Sequence, residues 1–332
     1  METRILDCTL RDGGHVNNWN FGLNTIKNII TSLNSGGIDI IEIGFLRDIE
    51  YDQKNALFNN ISQADEIINS LNLTSKVSLM VRPDWINLSF LKKSTSINII
   101  RFAFYEKDID LTITQANIAR DAGYEIFLNP VNILSYSEES LIKILNKIDK
   151  IKPNGVSIVD THGGLLPENL ENIIPIFDEH LNPDIALGIH LHQNLAISFG
   201  LAQIFLKKKL KNRTKIVDSS LLGMGRAPGN LQTEIITQFI NQSSPNRFDL
   251  NPILKSINDS IIPIRSEFKW GYSPEYSISG MLKVHRTYAE HLTDIENVDL
   301  ATSLKIMTEV VKLGKANTFD LQLLKKLIKD FV

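Results

Sequence analysis

Eight apolar, β-rich runs recur between residues 4 and 223, each followed by a segment of helical spacing, and this alternation most constrains the fold. The runs are "RILDCTL" (4–10), "IDIIEIGF" (38–45), "KVSLMV" (76–81), "INIIRFAF" (97–104), "EIFLNPV" (125–131), "GVSIVDT" (155–161), "IALGIHLH" (185–192) and "IVDSSLLG" (216–223). Several are apolar at consecutive positions, the pattern of parallel strands covered by helices. Eight such units predict a (β/α)8 TIM barrel over residues 1–242 rather than an open doubly wound sheet. The polar stretch "NQSSPNRFDLNP" (241–252) reads as a linker. Four amphipathic segments follow, "SISGMLKVHRTYAEHL" among them, and predict a helical C-terminal domain over 243–332.

Composition narrows the function. A net charge of −3 in 332 residues argues against nucleic acid or a membrane surface as partner. The single cysteine, Cys8, excludes an intrachain disulfide and reads as a buried, inert thiol. Neither a signal peptide nor a membrane-spanning apolar stretch is recognisable, so a cytoplasmic protein is expected.

Chemistry in such a barrel sits at the C-terminal ends of the strands. Arg11, Asp12 and His15 fall there on the first strand, Glu42 on the second and Arg101 on the fourth. Asp160 and His162 fall at the exit of the sixth, and the pair His190 and His192 at that of the seventh. Residues two apart on a strand share a face, so both imidazoles of the H-x-H pair point inward. Together with Asp12 they make a divalent-metal site, preferred here over a pair of hydrogen-bonded core histidines. Asn230, ending the eighth unit, adds an oxygen at the same point. Asp7 and Asp160 read as hydrogen-bonded structural carboxylates inside the barrel. His162 is balanced between lining the pocket and supporting it. Arg82 and Arg101 either grip a substrate anion or pair with a neighbouring acid. The loop "GMGRAPG" has the wrong spacing for a dinucleotide fingerprint and reads as an active-site loop, to which Arg226 adds charge.

The motifs "TLRDGGH" (9–15), "IEIGF" (41–45), "VDTHG" (159–163), "HLHQN" (190–194) and "GMGRAPGN" (223–230) resemble the ordered signatures of the DRE-TIM metallolyase superfamily, the HMG-CoA lyase-like barrels. The histidine after "LRDGG" resembles that of the 4-hydroxy-2-oxovalerate aldolases, which also carry a helical C-terminal domain. There "GYSPEYS" (271–277) is similar to a tyrosine-bearing segment, making Tyr272 and Tyr276 candidate proton donors against a plain packing role.

The resemblance implies Mn²⁺ or Mg²⁺ on Asp12, His190 and His192. It implies enolate stabilisation by Arg11, oriented by Glu42, and proton abstraction by His15. Asn230 matches a ligand of the lyase branch, whereas the aldolase branch has a different glycine-rich loop. HMG-CoA lyases carry a cysteine in that loop and a glutamine near the position of His15, and neither is present here. The implied activity is aldol cleavage or formation of a 4-hydroxy-2-oxo acid through a pyruvate enolate. A Claisen-type synthase using an acyl-CoA and a non-catalytic binding subunit are the alternatives. The C-terminal domain is a candidate docking element for a partner dehydrogenase or for a second copy of the chain.

Overall fold

The computed structural model describes residues 2–331. Nine parallel strands run in chain order: β1 (Thr3–Asp7), β2 (Ile40–Leu46), β3 (Leu57–Phe58), β4 (Lys76–Val81), β5 (Ile99–Phe104), β6 (Glu125–Pro130), β7 (Gly155–Val159), β8 (Ala186–His190) and β9 (Lys215–Ser219). The sheet order is β1-β9-β8-β7-β6-β5-β4-β2-β3, and pairing of β1 with β2 closes eight of them into a barrel. The two-residue β3 is an outer addition to β2 that the sequence pattern does not reveal. The eight barrel strands match the expected runs, with ends displaced by a few residues.

Seven helices follow the barrel strands: α1 (Leu23–Ser35), α2 (Ile61–Ile68), α3 (Ile109–Asp121), α4 (Glu138–Ile151), α5 (Pro167–His180), α6 (Ser198–Lys207) and α7 (Thr233–Ser243). In α4 the buried Leu141, Ile144, Leu145 and Ile148 follow the helical period, and the Ser137 hydroxyl caps the N-terminus by accepting the Ser140 N–H. Such faces close a large core between helices and sheet.

Inside the barrel a second, smaller core of Leu6, Cys8, Ile40, Ile99, Phe127, Ala186 and Ile216 fills the lower layer. One pleat further along, at positions two residues on, stand Glu42, Arg101, Asn129 and Asp218, with His190 four residues beyond Ala186, all buried. On β2, β5 and β9 the barrel interior therefore changes from apolar to charged within one step along the strand. On β2 the register shifts between Glu42 and Phe45, and this bulge lets both residues face inward despite their odd spacing. Gly44 makes it feasible: its φ is +148°, and a Cβ there would lie 2.0 Å from the Ala56 carbonyl oxygen.

The expected linker is a short turn. α7 runs to Ser243, and α8 (Leu250–Ser256), a π-helical turn (Ile257–Ile261) and α9 (Ile262–Glu267) pack against the barrel. Phe248, Ile253, Ile257, Ile261 and Trp270 belong to the barrel's outer core. A separate apolar core starts at Tyr276 and Ile278, beyond Trp270. That second core is built by α10 (Pro274–Met281), α11 (Thr287–Thr293), α12 (Leu300–Lys312) and α13 (Leu321–Phe331). "SISGMLKVHRTYAEHL" is not one helix: it breaks at 282–286, with Lys283 at φ +54°. No helix among the described residues is long and apolar enough to cross a membrane.

Candidate active site and metal centre

A cavity of about 270 Å³ opens at the C-terminal ends of the strands, beneath the helical appendage. Arg11, Asp12, His15, Arg82, Arg101, His162, His190, His192 and Arg226 all line it. After β1 the chain turns so that the N–H groups of Arg11 and Asp12 both donate to the Cys8 carbonyl, bringing the two side chains to the mouth. Gly14 is required by close approach: a Cβ there would sit 2.0 Å from the Trp19 indole, whose Nε1–H donates to the Arg11 carbonyl at 2.8 Å.

Asp12, His190 and His192 offer three ligand atoms within 4.8 Å of one another, all buried. The His192 imidazole is steered by its second nitrogen. His192 Nδ1 lies 2.6 Å from the Asp160 carbonyl oxygen and donates to it, freeing Nε2, which is 3.8 Å from Asp12 Oδ2. His190 Nδ1 lies 3.2 Å from Asp218 Oδ2. Asn230, bridged to His192 by backbone pairing, donates Nδ2–H to Asp12 Oδ2 at 2.8 Å, while its Oδ1 is buried without a partner.

Charges alternate across the barrel. Arg11 joins Asp12 at 2.5 Å and Glu42 at 2.6 Å; Glu42 also meets Arg101 at 3.2 Å, and Arg101 meets Asp218 at 2.6 Å. Three carboxylates against two guanidiniums leave one net negative charge beside two imidazoles. Burial works against the Asp12 carboxylate, but Arg11, His192 and His190 outweigh it and hold its pKa well below the usual range. Burial lowers the pKa of His192, leaving the neutral ring that a cation requires. Convergent donors, a net negative charge and an orphaned amide oxygen fit a divalent cation.

His15 packs edge-on against Trp19 and Phe45, with ring centroids 4.5 and 6.2 Å away. Desolvation, with repulsion from Arg286, Arg226 and Arg11, lowers its pKa to about 3, so the ring is a neutral base at pH 7.

Arg101 is 1% exposed and its guanidinium bonds to Asp218, Glu42 and Asn129 at the cavity wall. Tyr272 is 64% exposed in a separate surface depression beside Trp270, outside the cavity. Tyr276 does not line the cavity either; its carbonyl accepts from Asn194 Nδ2, docking α10 on the loop after β8. Arg226 bonds Glu290 and Thr287, tying that glycine-rich loop to α11. Arg82 pairs with Asp84 and lies over Trp85 and Tyr105. Asp7 faces outward and accepts the Thr233 hydroxyl at 2.6 Å, and burial lifts its pKa to about 6. The Asp160 carboxylate accepts the Leu165 N–H and also lies off the cavity.

Asp218, Asn129, His285 and Arg286 were not among the expected residues. Asp218 had a legible signal, a carboxylate at an inward position of an apolar strand. His285 and Arg286 had none, because they reach the cavity only through the break between α10 and α11.

Comparison with known proteins agrees with this picture. The chain is 25% identical over 299 residues to the 4-hydroxy-2-oxovalerate aldolase of Pseudoalteromonas translucida (strain TAC 125), covering 82% of this chain and 81% of that protein. It is 23% identical over 321 residues to the 4-hydroxy-2-oxovalerate aldolase of Bacillus cereus (strain ATCC 10987 / NRS 248), covering 94% and 90%. Among solved structures, the N-terminal domain of a Bacteroides vulgatus protein superposes with a TM-score of 0.76 at 24% identity, covering 89% of this chain and 98% of that one. The HMG-CoA lyase of Brucella melitensis does so with 0.58 at 14%, covering 77% and 96%; both likenesses are of fold. The HMGL-like family model matches residues 86–258, more than half of the chain, and the chain belongs to the HMGL-like family.

Proposed function

We propose that the protein is a divalent-metal-dependent aldolase that cleaves or forms a 4-hydroxy-2-oxo acid through a pyruvate enolate. The observation that carries this reading is the convergence of Asp12, His190, His192, Arg11 and His15 on one small cavity. Asp12, His190 and His192, with Asn230 beside them, are the residues that would hold Mn²⁺ or Mg²⁺. The cation, when bound, supplies Lewis acidity toward the oxygens of a 2-oxo acid.

The chain's own groups do the rest. His15, neutral and in the cavity wall, takes the proton of the 4-hydroxyl. The C3–C4 bond then breaks, its electron pair forming the enolate as the aldehyde carbonyl forms. Arg11, held on two sides by Glu42 and Asp12, is a preorganised cation for the enolate oxygen. Return of the proton to the enolate carbon gives pyruvate. The relatives named as 4-hydroxy-2-oxovalerate aldolases support the substrate class.

A panel of 4-hydroxy-2-oxo acids incubated with the Mn²⁺-loaded protein is expected to release pyruvate. A parallel panel of acetyl-CoA with 2-oxo acids is expected to release no free thiol. Thiol without pyruvate would assign a Claisen synthase, and silence in both panels a binding protein.

A further inference from the structure

Five arginines line the cavity, and four are matched to a carboxylate: Arg11 to Glu42, Arg82 to Asp84, Arg101 to Asp218 and Arg226 to Glu290. Arg286 is the exception. Its Nη1 donates to the Thr161 carbonyl at 3.0 Å, its Nε is buried without a partner, and no carboxylate among the described residues pairs with it. Burial and the nearby Arg226 lower its pKa to about 10, outweighing the more distant carboxylates of Glu290 and Asp12.

The neighbours are donors of the same kind. His162 has both ring nitrogens buried without a partner and packs 5.5 Å from His285. On His285, Nδ1 accepts the Thr287 N–H at 3.3 Å, so the neutral ring carries its proton on Nε2. Burial keeps both rings neutral, with pKa values of about 3 and about 4. One corner of the cavity thus presents a guanidinium with no paired carboxylate, bonded only to the Thr161 carbonyl, beside imidazole nitrogens that His162 leaves without a partner. Leaving such groups unpaired is costly, and a site built this way favours a ligand that completes them.

We infer that Arg286, with His162 and His285, is a subsite for a carboxylate at the aldehyde end of the substrate, making the substrate a 4-hydroxy-2-oxo diacid. A single unmatched guanidinium is complementary to one carboxylate rather than to a phosphate dianion. The inference rests on the aldolase reading for where the 2-oxo acid end lies. Its specificity element comes from the helical appendage, which gives that domain a part in substrate choice.

The test uses the full chain loaded with Mn²⁺ and two probes of equal length, 2-oxopentanedioate and methyl-ended 2-oxopentanoate, with binding measured by calorimetry. The diacid is expected to bind about 10- to 100-fold more tightly, the worth of one charged hydrogen-bonded contact. In Arg286→Gln that preference is expected to fall to within about threefold, whereas Arg286→Lys retains part of it. Equal affinities in the unmodified protein overturn the inference whether or not the variants fold. So does a preference that survives in Arg286→Gln, or an equal weakening of both probes, which would place Arg286 at the 2-oxo acid end. Because binding is read without turnover, a protein that prefers the diacid yet releases no pyruvate would refute the aldolase reading and leave the subsite standing.

Discussion

His15→Ala lowers the rate of pyruvate release by about 10²–10⁴-fold, the usual cost of losing one general base, while bound metal is unchanged. The residue lies beside the metal donors but is not one of them: Asp12, His190 and His192 form the cluster without it. Its ring is held by Trp19 and Phe45, so truncation removes a proton acceptor and leaves the charged network intact. Because desolvation lowers its pKa, the base stays unprotonated as pH falls through the ordinary histidine value near 6.5. The acid limb of kcat/KM that belongs to His15 therefore lies below that value. Rate measurements over pH 5–8, with metal content assayed alongside, check both statements. Loss of metal in His15→Ala, or an unchanged rate, would remove the residue from its role.

His192→Ala abolishes tight binding of the cation. Three donors converge within 4.8 Å, and His192 is aimed by its bond to the Asp160 carbonyl, so its loss leaves two members of that cluster, Asp12 and His190. Outer partners of metal-binding histidines are typically worth 10–100-fold in affinity, and loss of the ligand itself costs more than about 100-fold. Asp218→Asn, which removes no metal donor but alters the group 3.2 Å from His190 Nδ1 and the partner of Arg101, falls in the smaller class. Elemental analysis of chelator-free protein separates the two: His192→Ala emerges without metal, and Asp218→Asn retains metal with weakened affinity. Full metal content in His192→Ala would place the cation elsewhere.

Local pattern carried most of the fold. Runs such as "KVSLMV" are too short and too β-branched for helices, and their alternation with helical spacing dictates parallel strands and closure. Strand exits were equally readable, which is why Asp12, His15, His190 and His192 could be grouped before any coordinates. What local pattern does not hold is tertiary opportunity. For Arg101 the choice between a substrate anion and a neighbouring acid stayed open because Glu42 and Asp218 are far away in sequence and meet it only across the closed barrel. Tyr272 and Tyr276 were candidate proton donors because they lie in the segment 271–277, which the fold seats on the loop after β8 through Tyr276 and Ser277. The break at 282–286 interrupts an unbroken helical period, and a period cannot report the place where packing overrides it. His285 and Arg286 sit at that break.

Exchange of the methyl protons of pyruvate in deuterated water, followed by proton NMR, tests the central claim most directly, because it needs neither the aldehyde nor its identity. With Mg²⁺-loaded protein, deuterium is expected to enter the methyl group at a rate that chelation abolishes and Arg11→Ala cuts by about 10²–10³-fold, the worth of one preorganised donor to an oxyanion. Exchange no faster than in buffer, with pyruvate shown to be bound, would contradict an enolate-forming site at Arg11, Asp12, His190 and His192.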